Sequence, residues 1–273
     1  MHRMIAVVAA LSLAPAQTGK LELTNVRPTY GVLGAPRPDS KILPGDVLWV
    51  AFDMDGVKVD PNGKVVYGMG LEVKDSAGKT IFKEDENKEQ PLATENSLGG
   101  TRLPVFARVE TGTDFPPGEY TLKVAVSDRN GKTSANLERK FQVEKLAFGL
   151  VRLGTSYDQE GRLPAPMVGV PGQFLHVNFV AVGFARDKAK KQPHMEVELR
   201  ILDEKGKPVL DKPGTGIVNK DVAENAKGFP MGFVVALNRA GKFSVELNAV
   251  DKIAGAKAAP VKFPLTVLPN TDK

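Results

Sequence analysis

Cysteine is absent from the 273 residues. That absence excludes disulfides, thiolate metal sites, a cysteine nucleophile and a cysteine-linked lipid anchor. Histidine is almost as scarce. Of the three, His2 lies in the leader described below, and only His176 and His194 remain for the mature chain. Neither stands in a G-x-S-x-G or H-E-x-x-H setting, so a nucleophile triad and a zinc-protease site both lack their residues. Tryptophan occurs once, at Trp49, and aromatics make up 7% of the chain. No run of about 18 apolar residues appears, so no transmembrane helix is expected in the mature chain. A sustained 3.6-residue apolar period is missing too; only the polar run Lys83–Glu95 suggests a short helical turn.

What is present is strand and turn chemistry. Twenty-seven glycines and 20 prolines punctuate short alternating runs. The clearest is Pro117–Asp128, PGEYTLKVAVSD, where Tyr120, Leu122, Val124 and Val126 alternate with Thr121, Lys123, Ala125 and Ser127. That is the period of a strand buried on one face, bounded by Pro-Gly before it and Asp-Arg-Asn-Gly after it. A relative, AGKFSVELNAVD, occupies Ala240–Asp251. At the other end of the chain, His2 and Arg3 precede the mostly apolar Met4–Leu13, and Ala14-Pro15-Ala16 offers the small residues that a signal peptidase reads. Residues 1–16 are therefore predicted to be a signal peptide cleaved before Gln17, and the protein to be exported to the periplasm, the cell surface or the medium.

The two halves read as a repeat. LELTNVRPTYG from Leu21 is answered by LAFGLVRLGTSY from Leu146, pairing Val26 with Val151 and Arg27 with Arg152 at an offset of 125. Leu43-Pro44-Gly45-Asp46 with its strand corresponds to Val170-Pro171-Gly172-Gln173, now offset by 127, and the hairpin glycines Gly78 and Gly206 match. A period of this size is a whole domain, not a solenoid turn. The prediction is an all-β fold of two tandem antiparallel β-sandwiches arising from an internal duplication, spanning residues 17–144 and 145–269 with a short tail at 270–273. The alternation sends Leu48, Val50, Phe52, Leu71, Val73, Tyr120, Leu122, Val124, Phe141 and Val143 into one core. Leu175, Val177, Phe179, Leu199, Ile201, Phe243, Val245, Leu247, Phe263 and Leu265 enter the other. Few spare residues separate the halves, which predicts a restricted angle between them.

The PGD turn before an alternating strand, followed by PGEYTLKVAVSD and a GK turn, resembles the immunoglobulin-like and fibronectin type III-like β-sandwich repeats of exported bacterial proteins. The resemblance implies that Tyr120 is a corner residue whose hydroxyl bonds back to the backbone, a bond that Phe243 cannot make. It implies a fold more than a function.

Charge adds a further asymmetry. Residues 17–144 hold 17 Lys and Arg against 19 Asp and Glu, whereas residues 145–273 hold 19 against 13. No aromatic-interleaved basic stripe accompanies the basic half, so a protein or a cell-surface polymer is expected as partner and nucleic acid is not. Asp53, Asp55 and Asp60 lie in DMDGVKVDPNGK, read as a loop whose carboxylates suit calcium; turn chemistry is the plainer reading. The matching stretch of the second half carries Arg186, Lys188, Lys190 and Lys191, a candidate anion or partner contact that solvation explains equally well. Alternation puts Trp49 and His176 at equivalent positions on outer sheet faces, where Trp49 can stack on a sugar, anchor a partner or be covered by its surroundings. The sequence thus predicts a non-catalytic structural or protein-interaction module. A glycan- or ligand-binding accessory module using Trp49 or the end loops is the first alternative, and a calcium-binding adhesion-type pair the second.

Overall fold

The computed structural model describes residues 20–270; the predicted signal peptide lies outside them. Among these residues every regular element is a β-strand, and no helix is long and apolar enough to cross a membrane. The first nine strands are β1 (Glu22–Thr29), β2 (Lys41–Ile42), β3 (Val47–Asp55), β4 (Lys64–Asp75), β5 (Thr80–Glu84), β6 (Leu92–Glu95), β7 (Arg102–Glu110), β8 (Gly118–Asp128) and β9 (Thr133–Val143). They form a three-stranded sheet, β1-β3-β7, facing a six-stranded one, β2-β9-β8-β4-β5, with β6 also on β4. The helical turn suggested for Lys83–Glu95 does not form. β5 and β6 pair there with successive parts of the long strand β4, because a neighbouring edge satisfies more backbone groups than an isolated turn.

The remaining strands are β10 (Gly149–Ser156), β11 (Val168–Gly169), β12 (Phe174–Val182), β13 (Met195–Leu202), β14 (Gly214–Val218), β15 (Gly228–Ala236), β16 (Gly241–Asp251) and β17 (Val261–Val267). Their sheets are β10-β12-β15 and β11-β17-β16-β13-β14, the same strand order as in the first half. All pairings are antiparallel except the short β2/β9 and β11/β17 contacts. Of the core positions expected from alternation, all are buried except Leu71, Ile201 and Phe243, which are half-buried. Phe52 and Phe179 are the largest fully enclosed side chains, one in each core.

Register corrects one predicted match. Thr24 pairs with Asp53 as Val151 pairs with Val180, and Thr29 pairs with Trp49 as Ser156 pairs with His176. The offset through this strand is therefore 127, so Asn25, not Arg27, is the counterpart of Arg152, and Gly154 is the counterpart of Arg27. Both first strands shift register at this point, and Asn25 and Arg152 both adopt a left-handed φ, 51° and 53°. The Val-Arg dipeptide common to both halves obscured that shared bulge.

A buried aspartate closes the far end of each long hairpin. Asp128 accepts hydrogen bonds from the amides of Lys58, Asn130 and Gly131; Asp251 accepts them from Ala185, Ile253 and Ala254. Each carboxylate ties a long loop to a tight turn, satisfying amides that would otherwise be buried without partners.

The two sandwiches meet at a polar lock set in apolar contact. Asp46 is buried; its Oδ1 accepts from the Arg152 amide at 2.7 Å and its Oδ2 from Arg37 Nη1 at 2.9 Å. The Arg152 guanidinium donates onward to the Gly45 carbonyl and to Glu110. Around this lock, Ala35 is buried within the second core and the Tyr30 ring lies 6.0 Å from that of Phe263. Burial raises the Tyr30 pKa.

Candidate functional site

The residues singled out from the sequence do not converge. Asp53 and Asp55 lie on strand β3, not in a loop, on the outer face of the smaller first sheet. Asp55 accepts from Arg102 Nε at 2.6 Å and Thr24 Oγ1 at 2.5 Å, and these bonds hold its carboxyl below the usual range. Asp53 accepts from Asn25 at 2.7 Å. Asp60 sits in the following loop, where its Oδ1 accepts the amides of Asn62 and Lys64 as a turn aspartate does. Among the described residues no three His, Cys, Asp or Glu side chains come together as a metal cluster.

In the second sandwich Arg186 is a tether. Its guanidinium donates to the carbonyls of Lys191, Ala223 and Ala226 and stacks on Phe184 at 5.3 Å. Lys188, Lys190 and Lys191 are exposed, while Asp187 accepts the amides of Lys190 and Ala189, which lowers its pKa. Trp49 and His176 do occupy equivalent outer-face positions and are both half-buried. Trp49 is packed edge-on by Phe106, 5.2 Å away, with Arg108 at 5.9 Å. His176 lies on β12, whereas His194 sits in the loop that leads into β13 at the opposite end of the second sandwich.

An apolar concavity lies elsewhere. In the second sandwich a groove of about 380 Å³ opens between the two sheets, lined by Leu199, Ile201, Val235, Leu237, Phe243 and Leu265. Its rim carries Arg200, Lys212 and Arg239, of which Arg200 also donates to Glu198 at 3.4 Å; none of the lining residues is itself Asp or Glu. The Arg239 guanidinium lies 4.8 Å from the centre of the Phe243 ring. On either side stand β14 and β15, each hydrogen-bonded among the described residues to one neighbouring strand only, so both present a backbone edge.

Comparison of the halves explains why the groove is open. In the first sandwich the segment Gly112–Pro117 connects β7 to β8; Phe115 folds back onto the core with its ring 5.2 Å from that of Tyr120, and the Tyr120 hydroxyl donates to the Pro116 carbonyl at 2.9 Å. In the second, Asn238–Ala240 makes the same connection with three fewer residues and no aromatic. The aromatic plug has no counterpart there, and Phe243 carries no hydroxyl to make the corner bond. The shortened loop and the Tyr-to-Phe change were visible in sequence, but that both border one opening was not.

No known protein family matches the sequence, and no curated protein matches it either. Among solved structures, the C-terminal domain of the antigen I/II polypeptide BspA of Streptococcus agalactiae is 10% identical, with a TM-score of 0.29 over 88% of this chain and 99% of that one. The C-terminal domain of the Streptococcus pyogenes antigen I/II-family protein AspA is 9% identical, with a TM-score of 0.29 over 89% and 99%. Dimeric latent PorU from Porphyromonas gingivalis is 9% identical, with a TM-score of 0.38 over 97% of this chain and 22% of that one.

Proposed function

We propose that the protein is an exported, non-catalytic interaction module in which two sandwiches, related by duplication, present the groove of the second to a partner protein. The open apolar groove with its all-cationic rim carries this reading. Its occupant is an extended apolar segment bearing carboxylates: alternate side chains enter the groove, the acids meet Arg200, Lys212 and Arg239, and the backbone edge of β14 or β15 takes the main-chain bonds. The leader-like first residues support export. Calorimetric titration with peptides alternating Val with Glu tests it, against the same peptides with Lys in place of Glu. Binding of the acidic series alone is expected. It should be abolished, without loss of thermal stability, when Asn238–Ala240 is replaced by the Gly112–Pro117 segment. No binding, or equal binding by the grafted protein, refutes the reading.

The Trp49 face offers a second reading, because the half-exposed Trp49 and Phe106 form an aromatic pair on which a sugar ring can stack. The two are separable in one experiment. A glycan at this face shifts Trp49 emission, whereas a peptide in the distant groove leaves it unchanged.

A further inference from the structure

The end of the first sandwich that receives the second has an uncovered counterpart. At the existing joint, Ala35 is 6% exposed, and Tyr30 and Leu43 pack against the second sandwich. Their counterparts by strand register and loop position are Leu163, Tyr157 and Val170. These are 62%, 47% and 36% exposed, at the tail end of the second sandwich. Phe174, which stands where the first half has the buried Val47, is 60% exposed beside them. Four large apolar side chains thus cluster on a surface whose equivalent in the first sandwich is an interface.

We infer that this tail end docks the start of the first sandwich of a second copy, head to tail, repeating the joint within the chain. The surface that fills the joint is the bulged start of β10, and the start of β1 repeats its backbone, with Asn25 in the left-handed conformation of Arg152. Charge favours the same pairing. At the existing joint Gly31 and Gly154 approach so closely that a Cβ on Gly31 would lie 3.5 Å from the Gly154 Cα. On the two free ends these positions are Asp158 and Arg27, an acid opposite a base; Asp158 also accepts the amides of Arg162 and Leu163 and lies 3.8 Å from the Arg162 guanidinium, so Arg27 would share it. The lock itself is weaker there: Gln173 replaces Asp46 and Ala236 replaces Glu110, so the contact between copies is reversible where the one within the chain is not. Because start and tail are different surfaces, the contact is heterologous and leaves a free end after each addition.

Sedimentation velocity on the full mature chain over a concentration series tests this, with two variants at exposed positions. The wild type is expected to grow past a dimer as concentration rises. Arg27→Glu removes a start and Leu163→Glu removes a tail, so each alone should stay monomeric. An equimolar mixture should form dimers and nothing larger, since one variant keeps its tail and the other its start. A wild type that stays monomeric up to about 1 mM, dimers formed by either variant alone, or a mixture without dimers overturns the inference. None of these outcomes bears on the groove, because neither Arg27 nor Leu163 lines it.

Discussion

Tyr120 and Phe243 occupy the same place in two strands, and a single hydroxyl separates them. The Tyr120 hydroxyl is spent on the Pro116 carbonyl, inside a ring stack that also includes Phe141 at 5.5 Å. Burial raises its pKa, so it remains a donor across the physiological range. Tyr120→Phe should therefore destabilise the first sandwich by about 1 kcal/mol, the ordinary net worth of such a bond. Phe243→Tyr should gain nothing, since the ring borders an open groove where its hydroxyl would meet water. Urea denaturation of both variants checks the pair. The resemblance to exported sandwich repeats, carried by the Gly-x-Tyr pattern, implied the corner bond that the structure shows. Arg186, by contrast, looked like a free cation and proves to be held by one carbonyl of its own loop and two of the distant loop between β14 and β15.

At the scale of elements, alternation was a reliable guide to which face of a strand is buried, because the period of two is a property of the extended backbone itself. It was a poor guide to where a strand ends. Asp53 and Asp55 were read as loop because carboxylates favour turns. In the structure β3 runs through Asp55, since Thr24 on β1 and Arg102 on β7 supply partners across the sheet. This three-strand lock has a pH signature. The folded-state pKa of Asp55 lies below its ordinary value, so its contribution is fully present above that value and is lost as pH falls through the lower folded one. Asp55→Asn should lower the melting temperature at pH 7, and the difference from wild type should shrink as pH falls through the lowered folded-state pKa. A difference that persists in acid would assign the effect to packing instead.

For the molecule as a whole, the polar lock decides whether two sandwiches behave as one body. Asp46 is the shared acceptor for Arg37 of its own sandwich and the Arg152 amide of the next, so its removal leaves a nearly buried guanidinium without its counter-charge. Asp46→Ala should cost about 3–5 kcal/mol and should split one calorimetric unfolding transition into two. A single undivided transition at a lowered temperature would mean that the apolar contacts of Tyr30 and Ala35 couple the sandwiches unaided. By itself the sequence determined the all-β class, the repeated strand grammar and most of both cores, because these follow from local periodicity and turn chemistry. The tertiary structure alone decided which ends meet and where the core stays open. A joint and a groove are made by residues far apart in the chain, and their existence depends on loop lengths whose effect appears only when two sheets are packed face to face.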